Sequence, residues 1–222
     1  GEYWTKAFYY FKDSPAVTDE LVTLFEECLH VHARYLISMH SPYRLISNWG
    51  VIENHGLFEI ALTLPKSETT KEYIRIAVDH LEKLARMAVM PDGVEWEQSP
   101  MYHNEVLKCY LDVVCLAEKN GMELPETMKD CVKRMAYADL IWQKPDHHEF
   151  MMGDSDDFDI SPALCRAAYW LADGVLKHGA YDKPDFESAW ELGAEGIRAF
   201  EMLPVCEPEF TSAALADTGN YY

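Results

Sequence analysis

Apolar residues recur every three or four positions along almost the whole chain: Leu21, Leu24, Phe25, Cys28, Leu29, Tyr35 and Leu36; then Ile74, Ala77, Leu81, Leu84, Ala85 and Ala88; then Val106, Leu107, Tyr110, Leu111, Val114 and Ala117. That period lays an apolar stripe along one side of a helix, whereas a half-buried strand needs strict alternation. No strand pattern competes before residue 205. The chain therefore reads as all-α, with helices expected near 16–40, 50–64, 68–90, 100–120, 125–142, 162–178 and 184–202. Ser14-Pro15, Ser99-Pro100 and Ser161-Pro162 read as starts, because serine caps free amides and proline fits the first helical turn without losing a hydrogen bond.

Short loops make successive helices antiparallel. Helices beginning near 50, 100 and 162 should then run one way and those near 68, 125 and 184 the other. A period of about 50 residues, without a repeat of the residues themselves, fits hairpins forming part of an α/α toroid or solenoid. The longer polar and aromatic loops, 40–49, 91–98 and 144–159, should gather at one end. After Pro204 the pattern becomes short, polar and glycine-containing. The organisation expected is a partial toroid over 1–204, then a linker and the first strand of a further domain over 205–222.

Of the 222 residues, 49% are hydrophobic and 13% aromatic, enough for a folded core rather than a disordered chain. No run of eighteen apolar residues exists, so no membrane span is expected. The chain opens with glycine, and its ends are expected to reflect processing, which leaves a removed export signal open. A net charge of −19 disfavours nucleic acid and membrane surfaces as partners. It also requires any anionic polymer to find a local positive patch. The six cysteines, with no Cys-x-x-Cys pair, read as core-facing free thiols rather than a disulfide framework or metal site. The oligomeric state is left open by the sequence.

Two dipeptides carry chemistry. Asn54-His55 and Tyr102-His103 stand 48 residues apart, about one hairpin out and back, each near the start of an expected helix. An amide, two imidazoles and a phenol where helix N-termini point suit a site that holds a carboxylate and moves a proton beside it. With Ser99 as cap, Tyr102 should sit beside unpaired amides that stabilise a phenolate. Taken alone, Tyr102 reads rather as an ordinary half-buried aromatic, and Asn54 and His55 as a polar helix face or a capped loop.

The run 48–57, Asn-Trp-Gly-Val-Ile-Glu-Asn-His-Gly-Leu, followed by 90–103, Met-Pro-Asp-Gly-Val-Glu-Trp-Glu-Gln-Ser-Pro-Met-Tyr-His, resembles the heparinase II/III family of polysaccharide lyases, most closely its heparinase III-like branch. The resemblance covers roughly residues 45 to 178, the last part through Gly153-Asp154-Ser155-Asp156. It implies an α/α toroid followed by a β-sandwich, with an anionic polysaccharide, heparan sulfate-like, in the cleft between, and a periplasmic or secreted location. It implies that Asn54 binds and neutralises the uronate carboxylate, and that Tyr102 serves in β-elimination as the acid, either alone or as acid and base together. His55, present in some branches, would assist binding or proton abstraction, and His103 would support the substrate site. Further histidines, and a metal in some members, belong to the β-sandwich; no cofactor or metal is expected in this chain.

The chemistry needs those residue types. The C5 proton of a uronate becomes acidic only as its carboxylate is neutralised, so donors that gather charge in the transition state lower the barrier. A base then removes that proton and an acid protonates the departing oxygen on C4; one tyrosine can do both on one ring face, and His55 is the candidate second group on opposite faces. Trp49, Trp96 and Arg44, in the same loops, could supply sugar stacking and a cation, or simply packing. The run Asp154, Asp156, Asp157 and Asp159 lacks the position that would complete a paired-aspartate magnesium motif, which is Ile160, and His147-His148-Glu149 lacks a third zinc ligand. Alternative readings are an alginate or other uronate lyase, a glycoside hydrolase using Asp92 with Asp154 or Asp157, and a non-catalytic glycan-binding helical module.

Overall fold

The computed structural model describes residues 2–209 and 214–221. Its helices are α1 (Glu2–Phe11), α2 (Asp19–Ser38), α3 (Asn48–Thr63), α4 (Glu68–Met87), α5 (Pro100–Lys119), α6 (Glu126–Trp142), α7 (Ser161–Leu171), α8 (Gly174–His178) and α9 (Phe186–Met202). Two-residue strands, β1 (Ala214–Leu215) and β2 (Asn220–Tyr221), pair antiparallel near the end. Strand structure among the described residues is thus confined to the last ten or so, apart from isolated bridges such as Val89 with Glu95. The all-α expectation holds.

The chain divides into two compact units, 1–84 and 85–222. In the first, α1 and α2 both pack on α3. α3 is buried on nearly every side, from Val51 through Asn54, His55, Leu57, Phe58, Glu59, Ile60 and Ala61. An amphipathic stripe would bury one face only, so α3 is a central helix rather than a surface one. Tyr73, Ala77, Leu81 and Leu84 give α4 the single buried stripe that its spacing predicts.

In the second unit α5, α6 and α7 pack against one another, and α7 also carries α8 and α9. The buried ion pair of Arg166 with Asp112 ties α7 to α5, and Glu191 on α9 lies 3.6 Å from the same guanidinium. Lys177, only 6% exposed, ends α9 by donating to the carbonyls of Phe200, Glu201 and Leu203 at 2.7, 3.1 and 2.6 Å. These carbonyls lie at the end of α9, where the helical ladder runs out and oxygens can accept from a side chain, which is why a lysine can be buried there. Leu215 of β1 joins Val94, Ala138 and Trp142 in one cluster, and Thr218 donates to Asp92 through its amide at 2.9 Å and its hydroxyl at 3.0 Å. The described part of the C-terminal segment therefore docks on this helical unit.

Five expectations are corrected. α1 lies ahead of the first expected helix. Ser14-Pro15 does not start α2, which begins at Asp19 under a Thr18 cap whose hydroxyl accepts from the Leu21 amide at 3.2 Å. The span 162–178 is broken at Ala172, which turns left-handed at φ 50, after which the Asp173 carboxylate caps α8. Ser161 is inside α7 rather than its cap, its amide held by Asp159 at 2.8 Å. Likewise all six thiols are free, but Cys28 and Cys206 are exposed, against the core-facing reading.

Gly50 permits the sharp entry into α3, because a Cβ there would lie 1.8 Å from the Arg44 carbonyl oxygen, whereas one at Gly56 would meet nothing within 4 Å. Gly50→Ala should lower stability by about 1–3 kcal/mol by overpacking, while Gly56→Ala should raise it by about 0.5–1 kcal/mol through helix propensity. Urea unfolding of both variants checks the contrast; equal destabilisation would remove it.

Candidate functional site

Tyr102 stands third in α5, where Ser99 caps the helix and accepts from the Tyr102 amide at 3.4 Å. The loop 144–159 closes over this helix start. Ser99 Oγ donates to the Asp154 carbonyl at 2.7 Å, and the Met101 amide donates to Ser155 Oγ at 3.1 Å. Ser155 in turn donates to Glu149 Oε1 at 2.8 Å. The phenol of Tyr102 donates to Asp154 Oδ2 at 2.5 Å.

Two consequences correct the sequence reading. The amides of Met101 and Tyr102 are occupied by serine hydroxyls, so they are not open donors for a carboxylate. The phenolate is not stabilised either: the hydrogen bond to Asp154, with partial burial and the charges of Asp154, Glu97 and Asp156, raises the Tyr102 pKa above its ordinary value. This arrangement holds the phenol protonated. It suits an acid and opposes a resting base.

His103 faces inward and is fully buried. Its Nδ1 accepts from the Glu95 amide at 3.1 Å and its Nε2 donates to the Met135 carbonyl at 3.0 Å. Burial pushes its pKa down to about 4, against the pull of the Met135 carbonyl, so the ring is neutral. It packs edge-on to Trp142 at 5.1 Å. Its expected substrate-supporting place is therefore corrected to a structural one, fastening the 88–98 turn to α6. That turn is tight: Met90 donates its amide to Val94, and Gly93 sits at φ 94 where a Cβ would strike the Arg134 carbonyl.

Three acids are buried in this unit, and one of them, Asp139, lies 3.4 Å from His103 Nε2. Desolvation raises Glu95 to about 8, helped by the charge of Glu97. Desolvation raises Asp139 to about 7 against the Asn104 amide, which donates at 3.0 Å. Glu149 is raised to about 8 by burial, against its Ser155 hydrogen bond. None of the three was singled out as titrating from the sequence; an acid among core-spaced positions is the signal that could have found them.

In the first unit, Asn54 is 1% exposed and its Nδ2 donates to the Gly50 carbonyl at 2.8 Å. Its Oδ1 has no hydrogen bond of ordinary geometry, although His40 lies close enough for its ring to respond to that amide. His40 stacks on His80 at 3.8 Å, and burial lowers both pKa values. Neither histidine is a candidate in the sequence; His40 opens the 40–49 loop that carries Arg44 and Trp49, which is the available signal. His55 is 2% exposed with Nε2 3.4 Å from Glu59 Oε1, and Thr5 donates to Glu59 Oε2 at 3.2 Å. That position suits a core histidine and does not suit the proton carrier expected of it.

Trp49 is 58% exposed under the Arg44 guanidinium, 5.0 Å from ring centroid to cation. Arg44 is also paired with Glu53, so its charge is partly spent. Trp96 is 43% exposed on the turn ahead of α5. The acidic loop is used for closure: Asp157 meets Lys144 at 3.0 Å and His148 at 3.2 Å, and Asp159 accepts from Tyr181 at 2.9 Å. His147 turns away to Gly179, its Nδ1 3.1 Å from that carbonyl.

The hairpins are part of an α/α toroid, a fold shared with two crystal structures. One, of heparinase III, superposes with a TM-score of 0.71 at 19% identity over 79% of this chain and 28% of that one. The other, a mutant heparan sulfate lyase from Pedobacter heparinus, gives 0.71 at 22% identity over 98% and 32%. The chain belongs to the heparinase II/III family, whose N-terminus model matches residues 2–172. It is similar to a heparin-sulfate lyase of Pedobacter heparinus, 24% identical over 96% of this chain, and to one of Bacteroides stercoris, 23% identical over 64%. It spans 30% and 21% of those relatives' lengths.

The buried acids set a pH dependence. Their folded pKa values lie above the unfolded ones, so the stability they contribute is full below about 4.5 and is lost as pH rises toward about 8 for Glu149. Glu149→Gln, which stays neutral, should remove about 1 kcal/mol or more of that decline. Denaturant midpoints at pH 5, 6.5 and 8, taken as roughly spaced points across this window, check the sign; an unchanged slope would refute it.

Proposed function

We propose that the full-length protein is a polysaccharide lyase acting by β-elimination on a uronate-containing glycan, heparan sulfate-like, in the periplasm or outside the cell. Membership in the heparinase II/III family and likeness to two heparin-sulfate lyases support this reading. The observation that carries it is the accessible phenol of Tyr102, held protonated against Asp154 in the loop-closed start of α5. Residues 205–222 lead, in this proposal, into a β-sandwich that completes the cleft. Among the described residues no helix is long and apolar enough to cross a membrane.

In the reaction Tyr102 gives its proton to the departing C4 oxygen while a base takes the C5 proton. The family resemblance assigns Asn54 to the carboxylate, a role that requires its buried amide to turn from the Gly50 carbonyl, and assigns Trp49, Trp96 and Arg44 to the sugar chain. An alginate or other uronate polymer remains the alternative substrate. A glycoside hydrolase is less well supported, because it needs two opposed carboxylic acids. Asp92 is occupied by Val94 and Thr218, and Asp157 by Lys144 and His148.

The test is the full-length protein offered heparan sulfate, chondroitin sulfate, hyaluronan and alginate, with the ultraviolet absorbance of the C4–C5 double bond as readout. Tyr102→Phe should cut turnover by about 10²–10⁴-fold with binding nearly intact, and Asn54→Ala should damage both. Near-normal turnover by Tyr102→Phe would remove Tyr102 from the chemistry. Glycan binding without product from any polymer would instead favour a non-catalytic module.

A further inference from the structure

We propose that Asp154 is a positioning residue for Tyr102: its carboxylate, on a loop latched to the start of α5, fixes the phenol as proton donor and leaves abstraction of the substrate proton to another group. This rests on the lyase reading.

The carboxylate is held by more than its own hydrogen bond. Gly153 turns the chain at φ 62, after which the Asp154 carbonyl accepts from Ser99, the helix cap itself. The next residue, Ser155, accepts the Met101 amide and donates to the buried Glu149. The chain that follows the Asp154 side chain is thus tied down, through the Asp154 carbonyl and the Ser155 hydroxyl, to the helix that carries Tyr102 and to the buried Glu149. A short side chain with two torsions, on a fixed backbone, sets where the phenol points at little entropic cost. The 2.5 Å separation from Tyr102 Oη to Oδ2 is that of a charge-assisted O–H···O⁻ bond.

Every charged group that bears on the phenol has the same sign: Asp154 and Asp156 from the 144–159 loop, and Glu97 from the turn before α5. A phenolate here meets repulsion from both sides. Tyr102 therefore begins the cycle protonated. In the elimination the base takes the C5 proton, that electron pair forms the C4–C5 double bond, the C4–O bond breaks, and the leaving oxygen takes the Tyr102 proton. The phenolate so formed, strongly basic among three carboxylates, recovers a proton from water while the protonated base releases one, so protons balance over the cycle.

Asp154→Asn keeps the shape and removes the charge. Tyrosinate absorbance is titrated in the full-length protein as two differences, wild type against Tyr102→Phe, and Asp154→Asn against the double variant. The ionisation of Tyr102 should move to lower pH without the carboxylate, and the alkaline limb of kcat/KM should move down with it. At neutral pH kcat should fall roughly tenfold with KM held within about twofold, a loss of alignment rather than of binding. Asp154→Glu should restore part of the titration shift. An unmoved titration midpoint, or an effect confined to KM, overturns the proposal. Absence of product on every polymer overturns the lyase reading instead, and the titration still decides whether Asp154 holds the Tyr102 proton.

Discussion

The second unit depends on one uncharged imidazole. His103 takes the Glu95 amide on one nitrogen and gives a proton to the Met135 carbonyl on the other, two bonds that only the neutral ring can make at once. Burial supplies the neutrality by making the charged form costly. With that bridge in place the turn 88–98 cannot drift from α6, and Ser99, four residues before His103, can cap α5 in register with loop 144–159. Tyr102 is one residue from the bridge and about 100° around the helix, so the same backbone that buries the histidine presents the phenol outward.

The division of labour within each dipeptide explains what the sequence disclosed and what it did not. Helical periodicity exposed α2 through α7 and α9 because each buries a stripe or a full face, and period is what burial leaves in a sequence. α1 escaped because Tyr3, Trp4, Tyr9 and Phe11 are exposed while only Thr5 among its described residues is buried, so its pattern does not match its packing. The break at Ala172 was hidden because alanine favours helix; Asp173, capping α8 and accepting from Tyr137, overrides that local preference.

Chemistry was less legible than fold. The adjacent residues of Tyr102-His103 were read as one functional pair, yet adjacency on a helix places side chains on different faces, and only one can face outward. In Asn54-His55 both side chains are buried, and His55 turns to Glu59 inside its own unit. Conversely His40 and His80, forty residues apart, meet ring to ring beside Asn54. Spacing along a sequence cannot show a contact that tertiary packing makes.

The remaining tension is electrostatic. A chain of net charge −19 with Glu97, Asp154 and Asp156 around its acid would repel a polyanion, and the proposed function requires drawing one in. The two demands separate by range. At physiological salt the Debye length is about 8 Å, so distant surface carboxylates scarcely act on a bound sugar, whereas Asp154 in hydrogen-bond contact acts on Tyr102 at full strength. A departing oxygen, moreover, becomes negative only as its bond breaks, so a phenol already protonated and aligned on it can supply the proton as that charge develops. Local acidity around Tyr102 therefore keeps the proton available at the pH where the substrate carboxylate is ionised. The attraction of the polymer must come from positive groups set apart from that phenol, and Arg44, partly spent on Glu53, is too few charges to supply it from these loops alone.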